Sequence, residues 1–469
     1  MSELSTDFEI NMNTLRQRLG VGENFDVLER NLALPSGRVG FFYIDGFVKD
    51  GELQRIMQTL LSRSSLGDAK GVMEIVPYVE VSLQRDFDVV VTAVLSGQTA
   101  MLCTGFGAEA LILDLRTYPS RGTEEPEGDR VMQGSRDGFV ETLIMNTALL
   151  RRRVRDPALS MCHFSIGESS GTDVVLCYMK GVADERYVGR VKEKLRKIKP
   201  KALPLGTQSL MEALIRRKWY NPFPKIRTTE RPDTAAAQVI EGSVLIFCDT
   251  SPLVMILPTA IFDFLEEADD YCFPPLTGSY LRLVRIAILI LSVISTPLWY
   301  LAIENSALLP ASLQFLIPSE PGALPLILQL FIAELAIDGL KLASMNTPSM
   351  LSNSLSVVGG LILGDFAVSI GWFSRDVIFY MACVTIATFA QQNHELGFAF
   401  KFMRMMILAL VYFFGAGGFL AGLILFCVFA ATNSTLKGRG GYLYPLIPFN
   451  LKAVVRHIIR VKKDDFSKD

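Results

Sequence analysis

Asp365 stands near the middle of SLSVVGGLILGDFAVSIGW, residues 354–372, an otherwise apolar stretch. A charge at the centre of a bilayer costs at least ~2.5–3.5 kcal/mol on insertion scales, so such a carboxylate needs water, a partner or a proton. On a helix turning about 100° per residue, Ser354, Asp365 and Ser369 gather on one side with Val358 and Leu361. Gly360, Gly364 and Gly371 gather on another side, which suits close approach of a second helix. The carboxylate side then faces a cavity or another subunit, where copies of Asp365 would form a polar ring along a conduction path. The alternative is a protonated carboxyl that bonds a neighbouring helix as structural glue. Glu334, Asp338 and Lys341 recur at helical spacing in a second apolar block, 324–343, and the two carboxylates are candidates for the mouth of the same path.

Other chemistry finds no support. The three His are far apart and the seven Cys are an odd number without a C-x-x-C pair, so neither a metal site nor a dithiol is expected. G-x-x-x-x-G-K, G-x-S-x-G and H-E-x-x-H are all missing, which argues against an enzyme and against a cofactor. A net charge of −2, with Lys and Arg scattered among as many acids, gives no footprint for nucleic acid.

These residues sit in the second part of a chain whose composition changes near residue 283. Beyond it come apolar blocks at 284–303, 324–343, 355–372, 376–391 and 405–431. The first meets the roughly 20-residue length of a membrane-spanning helix. Basic residues before the first block and after the last place both termini in the cytoplasm, which requires an even number of crossings. The charged block 324–343 is therefore assigned to an interfacial or re-entrant helix, leaving four spans with residues 304–354 outside. Lys401 and Arg404 fall on the outer side in that scheme and count against it; the last block, broken by GAGG at 415–418, has a hairpin as its alternative. The N-terminus has neither a basic start nor an apolar run, so no secretory signal is expected.

The first part reads as mixed α and β. Strands are predicted at 39–45, 88–95, 99–105, 109–115, 173–179 and 243–249, and helices at 51–61, 137–154 and 184–198. The polar stretch 116–136 links two subdomains. In the middle helix Asp137, after Arg136, is the expected N-cap, and Arg151, Arg152 and Arg153 either complement the helix dipole or receive an anionic partner. Glu230, Arg231, Pro232 and Asp233 suggest local salt links at a domain or subunit contact, and Asp249, Ser251 and Pro252 a tight turn between strands. The expected class is an α+β cytoplasmic region of two mixed α/β subdomains, 1–120 and 121–280, followed by an all-α polytopic membrane domain, 281–435, and a cytoplasmic tail, 436–469.

Three long motifs, GSRDGFVETLIMNTALLRRRVRDPAL (134–159), PFPKIRTTERPD (222–233) and EGSVLIFCDTSPLVMILPTAIFDFLEEADDY (241–271), resemble the GerA family of bacterial spore germination proteins. Departures from the family's nutrient-receptor A subunits are Gln133, Gly134 and Ser135 in place of Arg-Gly-Pro, and Asp365 in place of an uncharged polar residue. The resemblance implies a multi-pass protein of the spore inner membrane that assembles as a homo-oligomer, a pentamer, conducts monovalent cations and acts with other germination proteins of that membrane. It also implies amplification of cation release during germination. A receptor A subunit and a non-conducting scaffold are the alternative roles.

Overall fold

The computed structural model describes residues 3–459 apart from 36, 64, 119–130, 132–133, 216–217, 268, 319, 321, 347–358, 392, 434 and 437–440. The chain divides into two compact units, one holding Met1–Arg217, Ile226–Thr259 and Thr435–Gly438, the other Lys218–Lys225, Ala260–Ser434 and Arg439–Asp469.

The first unit repeats one plan. Elements α1 (Phe8–Leu19), β1 (Val27–Leu34), β2 (Gly37–Ile44), α2 (Asp50–Leu61), α3 (Ala69–Ile75), β3 (Val81–Gln84), α4 (Phe87–Leu95), β4 (Thr99–Cys103) and β5 (Ala110–Leu113) come first. The same succession returns as α5 (Leu143–Arg153), β6 (Leu159–Ile166), β7 (Thr172–Met179), α6 (Glu185–Lys197), α7 (Thr207–Leu214), β8 (Arg227–Thr229), α8 (Pro232–Ile240), β9 (Val244–Cys248) and β10 (Val254–Leu257). The sheets are ordered β1-β2-β4-β5-β3 and β6-β7-β9-β10-β8, so the two orders are one pattern. Registers agree too: Val39 lies opposite Cys103 as Val174 lies opposite Cys248. The duplication is visible in the sequence as VGFFYIDG (39–46) against VVLCYMKG (174–181). Gly97 and Gly242 occupy the same turn, both at φ 97°, where an L side chain is strained.

Alternation of side chains along a strand explains why the central strands are apolar throughout: both faces are covered. In the first sheet Phe42, Leu102 and Ile112 meet Leu15, Leu19, Val90 and Val94 from α1 and α4. On its other face Phe41, Met101 and Leu111 meet Leu53, Ile56 and Val72 from α2 and α3. The second sheet is sandwiched in the same way, with α6 and α7 on one face and α5 and α8 on the other.

Two sequence expectations are corrected here. The run 88–95, expected as a strand for its β-branched residues, is helix α4, because the Asp86 carboxylate accepts from the amides of Asp88 and Val89 at 2.7 and 3.4 Å and starts the helix. The helix expected over 137–154 begins only at Leu143. Asp137 does not cap it. The segment before it is held elsewhere, the Phe139 amide donating to the Glu230 carbonyl at 2.7 Å and the Val140 amide to Asn146 Oδ1 at 2.8 Å.

The second unit is helical: α9 (Asp269–Cys272), α10 (Pro275–Glu304), α11 (Leu326–Asn346), α12 (Arg375–Phe389), α13 (His394–Ala431) and α14 (Leu451–Ile458), with a π-helical turn at Ile362–Phe366. Two of these helices, α10 and α13, are long and apolar enough to cross a membrane. α13 is not one straight rod. Gly415, at φ 56° and ψ −135°, breaks it into arms 394–414 and 416–431. The arms fold back on each other: a Cβ on Gly418 would strike the Leu410 carbonyl, one on Gly422 would lie 2.9 Å from Ile407, and the rings of Phe400 and Phe426 stack at 5.6 Å. The single span expected at 405–431 is thus replaced by the hairpin.

The ends of these helices sort into two groups. Ala323 donates to the Gly371 carbonyl at 2.8 Å, Ser374 donates its amide to Gln329 at 2.9 Å, Trp299 packs on Tyr380 at 4.3 Å and Tyr300 lies 6.5 Å from Tyr412. At the other end Lys341 sits over Phe389 and Phe398, and Asn433 donates to the Pro224 carbonyl at 2.9 Å.

Candidate functional site

Glu334, Asp338 and Lys341 are spaced four and three apart on α11 and therefore share a face, as do Lys401 and Arg404 on the first arm of α13. The two faces meet. Arg404 holds the Glu334 carboxylate through Nε at 2.8 Å and through Nη2, and its Nη1 donates to the Ser292 carbonyl of α10 at 2.8 Å. Lys401 Nζ lies 3.2 Å from Glu334 Oε2 and also pairs with Asp338. Lys341 turns to aromatic faces, 5.5 Å from the Phe389 centroid and 4.9 Å from that of Phe398. Glu334, Lys401 and Arg404 are all buried.

The cluster borders a cavity with about 30 Å³ of room for water centres, enough for one or two waters, which Thr385, Thr388 and His394 also line. The two threonine hydroxyls donate to helix carbonyls behind them, at 2.7 and 2.9 Å, and so present acceptor lone pairs to the cavity. Glu334 is thus not a free carboxylate at a pore mouth; it is fixed by two cations, and only Asp338 keeps a third of its side chain exposed. The sequence reading missed Lys401 and Arg404 as its partners. The signal was there in two basic residues three apart in an apolar helix, which need acids at matching spacing.

Asp365 lies elsewhere, exposed on the π-helical turn, and has no ion-pair or hydrogen-bond partner among the described residues. Leu361 and Ser369 are exposed near it, the serine hydroxyl donating to the Phe366 carbonyl at 2.9 Å; Ser354 and Val358 lie outside the described residues. Of the three glycines read as one face, two are open within this chain and the third is off the helix. A Cβ on Gly360 or Gly364 would meet no atom within 4 Å, and Gly371 is in a left-handed turn at φ 81° rather than on the helix. The close intrachain contact belongs to Gly359, against Leu340 of α11.

A second charged cluster stands at the start of α10. Asp270, fully buried, accepts from Arg282 Nε at 2.9 Å and from Arg285 Nη1 at 3.1 Å; Arg285 also holds Glu267 at 2.5 Å, and His457 Nδ1 lies 2.8 Å from Glu266. Arg282 and Arg285, the basic residues at the start of the first apolar block, are thus paired with acids.

In the first unit the arginine row is resolved. Arg151 is completely buried and grips Asp26 through Nε at 2.8 Å and Nη2 at 3.1 Å, so it cannot receive an external anion. Arg152 stacks 4.4 Å from the Tyr118 centroid, and Arg153 pairs with Asp137 at 2.6 Å, holding that carboxyl below its usual range despite its partial burial. Arg136 is exposed. Arg231 pairs with Asp233 at 2.6 Å and donates to the Ser135 carbonyl at 3.0 Å, while Pro232 is the first residue of α8. Asp249 accepts from the Leu143 amide at 3.0 Å and Ser251 from the Leu253 amide at 3.3 Å, with Pro252 between strands β9 and β10.

A duplicated α/β unit is joined in this chain to a helical unit that has buried ion pairs and two helices long and apolar enough to cross a membrane. The family model described as Bacillus/Clostridium GerA spore germination protein matches residues 13–468, and the chain belongs to that family. It is 35% identical to stage V sporulation protein AF of Bacillus subtilis over 97% of this chain and 92% of that protein. It is 30% identical to the uncharacterized membrane protein YfkQ of the same organism over 85% of this chain and 79% of that protein. The N-terminal domain of the A subunit of the Bacillus megaterium spore germinant receptor GerK3 aligns at 23% identity and a TM-score of 0.41, covering 54% of this chain and 96% of that one.

Proposed function

We propose that the chain is the membrane subunit of an oligomeric complex of the spore inner membrane that conducts monovalent cations during germination and amplifies their release. The observation that carries this is Asp365, a carboxylate on an apolar helical stretch with no partner among the described residues and open space beside Gly360 and Gly364. A carboxylate so placed in a bilayer needs water or another subunit, and a ring of them around an axis favours cations by field strength. The pentameric state comes from the family resemblance, and the other germination proteins of that membrane are the expected partners. No catalytic step and no cofactor form part of this reading.

The pairing of helix ends supports a topology of six passes: α10, α11, a return from the Lys341 end of α11 to Gly371 of which residues 359–370 are described, α12, and the two arms of α13. Both termini then lie on one side, the cytoplasm. Lys341, Lys401 and Arg404 fall in the inner half, which removes the conflict with the positive-inside rule that four spans created. The test is cation flux through the full-length protein in liposomes under an imposed potential. Asp365→Asn is expected to reduce cation over anion selectivity; unchanged selectivity, or no flux from assembled oligomers of the parent, overturns the conducting reading.

A further inference from the structure

The C-terminal helix α14 offers a surface that the conduction reading does not use. Asn450 caps it, its side chain accepting from the Ala453 amide at 3.2 Å. One side is fastened to the protein: His457 bonds Glu266 at 2.8 Å and lies 5.9 Å from the Phe262 ring. Roughly 120–160° away around the helix, Leu451 and Val455 stand one turn apart with 62% and 40% of their surface exposed. Ile447, Phe449 and Ile459 extend this apolar strip at 63%, 68% and 51%. Lys452 is exposed on the following side, and the sequence places Arg456, Arg460, Lys462 and Lys463 close behind it.

The neighbouring element shows the same pattern. α10 is 30 residues long, about 45 Å, where a bilayer core needs about 30 Å. Its surplus lies toward the end that carries the acidic cluster, and there Leu276, Tyr280 and Leu283 form an exposed stripe. That stripe continues along the same helix through Ile290, Leu291 and Leu298. An apolar strip beside a helix of spanning length, bordered by Lys452 and followed in sequence by a basic run, matches the acyl–headgroup boundary of an anionic leaflet.

We infer that α14 and the flanking residues form a membrane-surface anchor: Ile447, Phe449, Leu451, Val455 and Ile459 enter the acyl boundary of an anionic lipid leaflet, Lys452 meets the lipid phosphates, and the His457–Glu266 contact sets the angle of the helix to α10. The inference rests on the membrane reading of the helical unit and goes beyond it.

The experiment places spin labels at Leu451→Cys, Val455→Cys and Lys452→Cys, one at a time, in the full chain with Cys162, Cys272, Cys383 and Cys427 replaced by Ala. The protein is reconstituted in vesicles of phosphatidylcholine with 30 mol% phosphatidylglycerol, and relaxation by oxygen is compared with relaxation by a water-soluble nickel chelate. A label at Phe413→Cys, on the far end of the first α13 arm, reports the membrane reading independently. The expected result is several-fold preferential oxygen relaxation at 451 and 455, nickel access at 452, and loss of the oxygen preference in vesicles without phosphatidylglycerol. Nickel access at 451 and 455 equal to that at 452, with 413 still in lipid, overturns the anchor alone. Nickel access at 413 as well overturns the membrane reading. Shielding of 451 and 455 from both relaxants, with dipolar broadening, assigns the strip to a second copy of the chain and overturns the lipid assignment.

Discussion

Glu334 with Arg404 and Lys401, and Arg151 with Asp26, are ion pairs shut away from water. Glu334 was conspicuous as an acid in an apolar block, but its partners lie 67 and 70 residues away on another helix. Arg151 looked like one of three equivalent arginines at a helix end, yet it alone is buried, against Asp26 from 125 residues earlier. Breaking a buried pair strands one charge in a medium that cannot solvate it, which costs about 3–5 kcal/mol, whereas replacing both members by apolar residues of similar size is close to neutral. Arg404→Met is therefore expected to shorten the half-life of the detergent-solubilised protein at its unfolding temperature by well over tenfold, and Glu334→Leu added to it to restore most of the loss. Equal damage from the single and double variants would show that packing, rather than the stranded carboxylate, explains the effect. Asp26→Asn should lower the stability of the first unit by a similar ~3–5 kcal/mol in pulse proteolysis of the full chain; a loss below ~1 kcal/mol would mean that water reaches the pair.

Elements were readable where the signal is local. Asp184 caps α6 and the apolar residues of that helix fall on one face, so it appears within a residue of its expected bounds. α5 was misplaced because its first amide is satisfied by Asp249, which no window around residue 143 contains. The repeat of 39–46 at 174–181 is a local signal that comparison of the chain with itself would have exposed. The hairpin at Gly415 yields a sharp test, since Gly417 and Gly418 are adjacent but differently placed: Gly417→Leu projects into open space and should leave folding yield unchanged, whereas Gly418→Leu collides with the Leu410 backbone and should abolish it. Equal yields would refute the fold-back. The α14 contact is expected to depend on pH. Burial opposes protonation of His457, but the hydrogen bond and charge of Glu266, with Asp263 adding to them and Arg282 opposing, raise its pKa above the ordinary value. Burial also pushes Glu267 up, to about 7, against the pull of Arg285. Both folded values exceed the unfolded ones, so the stabilisation from each is complete below its unfolded pKa and is lost as pH rises through the folded value. A spin label at position 452 should accordingly gain mobility between pH 6 and pH 8.5, and His457→Gln should remove most of the change; mobility that rises on acidification instead would contradict the assignment.

At the scale of the molecule the question is how many times the chain crosses the membrane, because this decides on which side each charge lies. Counting apolar blocks predicts four passes and an interfacial helix; the proposed topology has six, with the last block, broken at Gly415, as two arms. The schemes agree on residue 315, between α10 and α11, and disagree on residue 395, at the start of α13. With four passes both face outward; with six, 395 faces the cytoplasm beside Lys341 and Lys401. Phe315→Cys and Glu395→Cys are both at exposed positions, so a membrane-impermeant maleimide can report them in sealed vesicles of known orientation once Cys272, Cys383 and Cys427, the exposed native thiols, are replaced by Ala. Labelling of 315 from outside and of 395 only after permeabilisation is the expected outcome. It would place the Glu334–Arg404–Lys401 cluster in the inner half of the membrane, on the side where basic residues are retained. External labelling of both would restore four passes and put Lys341, Lys401 and Arg404 on the outer side, while Asp365 would lie within a pass, 355–372, in that scheme as well.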